Sequence, residues 1–220
     1  MEGKRYELVQ FHFHKPSEEK INGKSAEMAA HLVHKNADGN LAVVAVLLKT
    51  GQSNKLMETL WKNLPREKEK ETEVQGVQVN ATDLLPAKRA SYYTFTGSLT
   101  TPPCSEGVTW FVLKNPTPIS KTEVVRFAQL YPMNARPTQP LNGRDIRTTA
   151  CLECFVVQRV RQDCRVPDTQ PLCRCRPTIN PPRQDAVVTP DATVFTGIDE
   201  SASARILNRL WQTAARVGGG

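Results

Sequence analysis

Along the first half of this chain apolar residues recur at every second position or in short unbroken runs, a strand signature rather than a helical one. Tyr6–His14 alternates and predicts a strand, and Glu27–His34 predicts another. Asp38-Gly39 is a tight-turn signal. After it, Leu41–Lys49 is a continuous apolar run, as expected of a strand buried on both faces, and the two strands join as a hairpin. Ser53 is then expected to cap a short helix with Leu56, Met57, Leu60, Trp61 and Leu64 on one side, stopped by Pro65. Ser91–Gly97 and Val108–Leu113 read as strands around the loop Leu99–Glu106. Ser120 and Glu123 form a capping box for a helix bearing Val124, Phe127 and Leu130 that ends at Pro132. The charge run Arg66–Glu73 reads as a solvated loop, and Asn80-Ala81-Thr82 matches a glycosylation sequon of a kind common by chance.

Composition divides the chain. Residues 1–146 carry 13 Lys and 6 Arg, whereas residues 147–220 carry 10 Arg and no Lys. Five of the six cysteines and six prolines fall in that second part, whose apolar pattern is mostly aperiodic. It is expected to be a largely irregular tail of different origin, with one short helix capped by Asp199 and bearing Ile206, Leu207, Leu210 and Trp211. Its cysteines, Cys151-x-x-Cys154 and Cys173-x-Cys175 with Cys164 between, match no zinc module well. The net charge of +7 comes from basic residues scattered among acids, without an Arg/Lys stripe interleaved with aromatics, so nucleic-acid binding is not expected. No apolar run approaches a membrane span, and Met1-Glu2-Gly3-Lys4-Arg5 lacks the apolar core of a signal peptide.

The chemistry concentrates in Gln10-Phe11-His12-Phe13-His14. Strand side chains alternate faces, so His12 and His14 point the same way and make a pair of metal ligands lacking a third. Ala29-Ala30-His31-Leu32-Val33-His34 offers it. His31 and His34 are three apart and face opposite ways on a strand, so one of them can join. A buried structural histidine is the plainer reading of any one of these residues. The pair together with a further strand histidine favours metal ligation, and imidazole suits zinc.

These motifs occur in a wider set. QFHFH, Pro16-Ser17-Glu18, Ala30-His31-Leu32-Val33-His34, the stretch Ser98–Trp110 (SLTTPPCSEGVTW) and Arg136–Arg144 (RPTQPLNGR) together resemble the α-class carbonic anhydrases in their bacterial form. The resemblance runs from Tyr6 to Ile146 and matches the later part of the family domain. It implies a mainly β (α+β) fold, with an incomplete, mostly antiparallel central sheet and short peripheral helices. Upstream strands of the family domain have no counterpart here, which would leave a strand edge unpaired. Cys104, whose bacterial equivalent pairs with an upstream cysteine, is expected to be free or to pair with a tail cysteine.

By resemblance, zinc (Zn2+) is held by His12, His14 and His31 and lowers the pKa of the water it binds, to about 7 in carbonic anhydrases generally, so that carbon dioxide becomes bicarbonate and a proton. Thr100 would orient that water, donating its own proton to Glu18, with Thr101 alongside for substrate or product. A carboxylate only accepts hydrogen bonds, which fixes the direction of this relay. Val33, Val43, Leu99, Val108 and Trp110 match an apolar wall suited to carbon dioxide. Gln10 matches the partner of the first ligand, and the backbone carbonyl of Asn134 that of the second. The third partner is missing, since Ala29 stands where most relatives place glutamate. Glu27 is a water-mediated substitute on the same strand face. With three histidines assigned to zinc and His34 facing away, no histidine shuttle remains, and proton removal is expected to depend on buffer.

Relatives are usually exported, which suggests a periplasmic or secreted full-length form. Two other readings stay open: a catalytically silent carbonic-anhydrase-like binding module, and a fragment without function. Oligomeric state is not legible from the sequence.

Overall fold

In the computed structural model, which describes residues 3–64 and 74–149, the alternating segments assemble into one seven-stranded sheet and a separate two-stranded hairpin. Numbered along the chain, the strands are β1 (Tyr6–His14), β2 (Lys20–Ile21), β3 (Lys24–Ser25), β4 (Met28–Asn36) and β5 (Leu41–Thr50). They continue as β6 (Tyr92–Ser98), β7 (Glu106–Leu113), β8 (Thr117–Ile119) and β9 (Arg147–Thr148). The sheet order is β1-β4-β5-β7-β6-β9, with β8 also on β5. The pairs β1–β4, β4–β5, β6–β7 and β6–β9 are antiparallel, while β5–β7 and β5–β8 are parallel. The expected mostly antiparallel sheet is therefore mixed at its centre.

Alternation decides what each face holds. Phe11 and Phe13 of β1, with Met28, Ala30 and Leu32 of β4 and Val44, Val46 and Leu48 of β5, build the main core. Helix α1 (Lys55–Lys62) adds Leu56, Met57, Leu60 and Trp61 to it, and helix α2 (Lys121–Leu130) adds Phe127. On the opposite face Val33, Val43, Ala45, Val108, Trp110 and Val112 form a second apolar cluster. His12, His14 and His31 lie on this second side, because their positions are out of phase with the core phenylalanines. His34 takes the core side, with Nδ1 donating to the Leu32 carbonyl at 2.9 Å.

Local chemistry explains the helix ends. Asn54, not the expected Ser53, caps α1, its side chain accepting from Met57 N at 2.8 Å. Both are good capping residues, and Ser53 instead donates to Glu123 Oε1 at 2.5 Å. The capping box of Ser120 and Glu123 opens α2. Trp61 Nε1 donates to the Glu123 carbonyl at 2.7 Å, so one residue ties both helices together. Asn80 of the sequon caps the short 3-10 helix Ala81–Leu84.

The boundary expected at Ile146 falls inside the folded unit. Arg147 and Thr148 pair with Thr94 and Tyr93 of β6, and Thr149 N donates to the Tyr92 carbonyl at 3.2 Å. Backbone pairing needs no particular side chains, so the change to arginine-rich composition does not stop it. The charge run Arg66–Glu73, the tail cysteines and the helix expected after Asp199 lie outside the described residues.

Two measurements check these assignments. Glu123→Ala removes half of the capping box and a partner of Ser53, and should lower stability in urea by about 2 kcal/mol. His34 is held at a pKa of about 4 by burial, against the opposing pull of the Leu32 and Ala42 backbone bonds. Because the folded value lies below the unfolded one, the unfolded chain binds the proton first, and stability falls as pH drops from about 6.5 to about 4. The loss attributable to His34 is on the order of 3 kcal/mol, and His34→Gln should flatten that limb of the stability–pH curve in the metal-free protein.

Candidate metal centre

Strand register brings the histidines together. His12 stands directly opposite His31 across the β1–β4 pair, and His14 lies opposite Ala29. The ring centroids are 4.8 Å apart for His12 and His14, 5.4 Å for His12 and His31, and 4.5 Å for His14 and His31. Each ring can point one nitrogen at a common centre, and those three atoms lie within 4.8 Å of one another. Zinc–imidazole bonds are about 2.0–2.1 Å, so nitrogens held by one ion would stand closer together than this.

The outward nitrogens fix which atoms face inward. His12 Nδ1 donates to Gln10 Oε1 at 2.9 Å, and His14 Nδ1 donates to the Asn134 carbonyl at 3.1 Å. His31 Nε2 donates to Glu19 Oε1 at 2.6 Å. An acceptor on one ring nitrogen leaves the other with its lone pair. The inward atoms are therefore Nε2 of His12, Nε2 of His14 and Nδ1 of His31. The first two are buried and have no hydrogen-bond partner among the described residues. Buried polar atoms are rarely left so, and a shared orphaned centre of imidazole nitrogens fits a zinc ion.

Electrostatics of the metal-free cluster point the same way. Burial, and then the neighbouring His14 and His31, hold His12 well below the ordinary histidine value. Burial and His31 bring His14 down to about 3. Both rings are neutral at physiological pH, the form that ligates. His31 differs: burial lowers it, but the charge and bond of Glu19, with Glu18, outweigh this and raise it.

The loop after β1 supplies the two carboxylates. Asn22 and Gly23 adopt positive φ (53° and 77°), closing the β2–β3 hairpin tightly. Ser17 ties the start of the loop to its end. Its hydroxyl donates to the Glu19 carbonyl and accepts from Ala26 N, both at 2.8 Å. Glu18 Oε1 accepts from Arg136 N at 2.7 Å, 3.4 Å from His14 Nδ1, while Glu18 Oε2 lies 4.0 Å from His31 Nδ1. Burial raises the Glu18 pKa, against the His31 charge, the Arg136 amide and the Thr100 hydroxyl. Glu18 Oε2 is buried and has no hydrogen-bond partner among the described residues. Thr101 is buried, its carbonyl accepting from Cys104 N at 2.9 Å. Cys104 is a free thiol among the described residues.

Val33, Val43, Val108 and Trp110 are buried in the second apolar cluster, and Leu99 packs against it half-buried. The Trp110 ring lies 5.0 Å from that of His31, which brings this cluster to the histidines. Trp110 Nε1 is anchored on the Ser98 carbonyl at 3.1 Å. A cavity of about 460 Å³ is lined in part by Glu18, Glu19, Thr100 and Trp110, and none of the three histidines lines it.

One placement departs from the sequence reading. Glu27 is exposed and accepts from the Thr50 hydroxyl, so it does not serve His31. The partner is Glu19, which periodicity cannot find because it lies in a loop. The signal available was a pair of adjacent acids, Glu18-Glu19, entering a region whose strand positions carry no carboxylate. The amide of Arg136 on Glu18 was likewise invisible, as backbone donors leave no mark in sequence.

A family profile for eukaryotic-type carbonic anhydrase matches residues 1–150. A carbonic anhydrase of Nostoc sp. is 41% identical over 140 residues, covering 64% of this chain and 53% of that protein. One from Klebsiella pneumoniae is 46% identical over 145 residues, covering 66% and 58%. Among solved structures, the α-carbonic anhydrase of Thermovibrio ammonificans, in complex with the inhibitor sulfanilamide, superposes with a TM-score of 0.64 at 42% identity, covering 66% of this chain and 64% of that one. A hyperthermostable carbonic anhydrase from a hydrothermal vent chimney gives 0.64 at 48% identity, covering 67% and 66%. The chain thus spans little more than half the length of the curated relatives it matches. With the histidine cluster, the sheet and the profile over residues 1–150 in agreement, the chain belongs to the carbonic anhydrases of the α, or eukaryotic, type.

Proposed function

We propose that this chain is a zinc enzyme that reversibly hydrates carbon dioxide to bicarbonate and a proton, with His12, His14 and His31 as the metal ligands. The observation that carries this reading is the convergence of two orphaned, buried Nε2 atoms and a third imidazole nitrogen on one centre, within a member of this family. Zinc bound there supplies Lewis acidity, making a water acidic enough to act as a nucleophile near neutral pH.

The remaining work falls to the chain's own residues. Gln10, the Asn134 carbonyl and Glu19 hold the outward N–H groups, so each ring keeps a lone pair toward the ion. Thr100 faces Glu18, and a proton donated to that carboxylate leaves the threonine oxygen as an acceptor for the reacting water. The Arg136 amide holds Glu18 in place for this. Val33, Val43, Leu99, Val108 and Trp110 give an apolar substrate a dry wall beside His31, with Thr101 as a polar neighbour. No side chain is left to carry the proton out as imidazole, since His34 donates to the Leu32 carbonyl on the other face.

Metal analysis of the purified chain should give about one zinc per polypeptide, and stopped-flow assays should show hydration that rises with buffer concentration. His12→Ala should reduce zinc retention by more than the roughly 100-fold that loss of an outer partner can cost, and abolish hydration. Stoichiometric zinc without His12-dependent hydration would overturn the proposal. Thr100→Val should keep its zinc while kcat/KM falls about 100-fold, separating orientation of the nucleophile from metal binding.

A further inference from the structure

We infer that Glu19 is the positioning residue for His31, a task that none of the side chains present beside it on the surrounding strands performs. On β4 the neighbours of His31 on its own face are Ala29 and Val33, and neither side chain has an acceptor atom. Across the two flanking strands it faces His12 and Ala45. Ala29 and Ala45 are fully buried, so no water layer stands there to take the outward N–H. Glu19 fills this need from the loop, accepting from His31 Nε2 at 2.6 Å with only 12% of its side chain exposed.

The second oxygen of the carboxylate, Oε2, is buried and has no hydrogen-bond partner among the described residues. Ser17 fixes the backbone on which it rides, donating to the Glu19 carbonyl while itself 2% exposed. Adjacent acids thereby serve different groups: Glu18 accepts from the Arg136 amide, and Glu19 from His31 Nε2. Held this way, His31 keeps its proton on Nε2 and offers Nδ1 to the centre. An outer carboxylate on a ligating imidazole both selects the tautomer and increases the donor strength of the other nitrogen.

Two readouts test this, of which only the first rests on the zinc reading above. Zinc release to a chelator should be 10–100-fold faster from Glu19→Ala than from the parent. Glu19→Gln, which keeps an acceptor oxygen, should lose less. In the double variant Glu19→Ala/Ala29→Glu a carboxylate returns to His31 from the strand, and retention should recover toward the parent. Independently of any metal, long-range proton–nitrogen spectra of the zinc-free protein at alkaline pH should find the His31 proton on Nε2 in the parent and spread over both nitrogens in Glu19→Ala. Zinc retention in Glu19→Ala equal to the parent would overturn the inference. So would an unchanged His31 tautomer in that variant. If the parent binds no zinc, the metal reading fails, while the tautomer measurement still decides the role of Glu19.

Discussion

The register between β1 and β4 is the constraint on which the candidate centre depends. His12 stands opposite His31, and Phe11 and Phe13 alternate with the histidines into the main core. A slip of one residue would turn both phenylalanines toward the histidine side and the imidazoles into an apolar interior. Burial of the two aromatic rings, each worth roughly 1.5–3 kcal/mol, therefore locks the imidazole geometry from the opposite side of the same strand. Phe13 packs against Trp61 at 5.1 Å, and Trp61 is bonded to Glu123. The stiffness of the centre thus comes from helices that never touch it.

Polar groups complete what the sheet begins, and they come from outside it. Strands place three rings side by side but cannot orient them, because neighbours at two-residue spacing lie beside a ring rather than behind it. The exception is Gln10, which reaches His12 from the same strand face. His14 relies on a loop 120 residues away, and His31 on the loop after β1. Each outward N–H has a different kind of acceptor: an amide side chain, a backbone carbonyl and a carboxylate. Only the carboxylate is charged, and it raises the pKa of His31, while burial and neighbouring rings hold His12 and His14 down.

Legibility in the sequence follows the same division. Strand periodicity located β1, β4 and β5, put His12 with His14 and His31 with Val33, and set His34 on the face opposite His31, because a period of two is an immediate consequence of pleating; that His31 and not His34 joins the pair came from the resemblance. The capping box at Ser120 was readable for a similar reason, being a local bond between residues three apart. Glu19 was not, since its reach depends on the path of a loop and on the β2–β3 hairpin. The parallel β5–β7 pairing and the last strand β9 were hidden too, for they rest on backbone groups that every residue carries. Asn54 displaced Ser53 as cap because the hydroxyl found a carboxylate on another helix, a contact no local pattern encodes.

Asn134 joins the two ends of this arrangement. Its side chain donates to the Phe13 carbonyl and accepts from Lys15 N, its own amide donates to the Lys15 carbonyl, and its carbonyl receives His14. Four bonds thus tie residue 134 to residues 13–15. Residues 120 positions apart must therefore dock before His14 has its outer acceptor, whereas His12 finds Gln10 on its own strand. A change that loosens the segment around residue 134 would reach His14 first and leave the outer bonds of His12 and His31 in place.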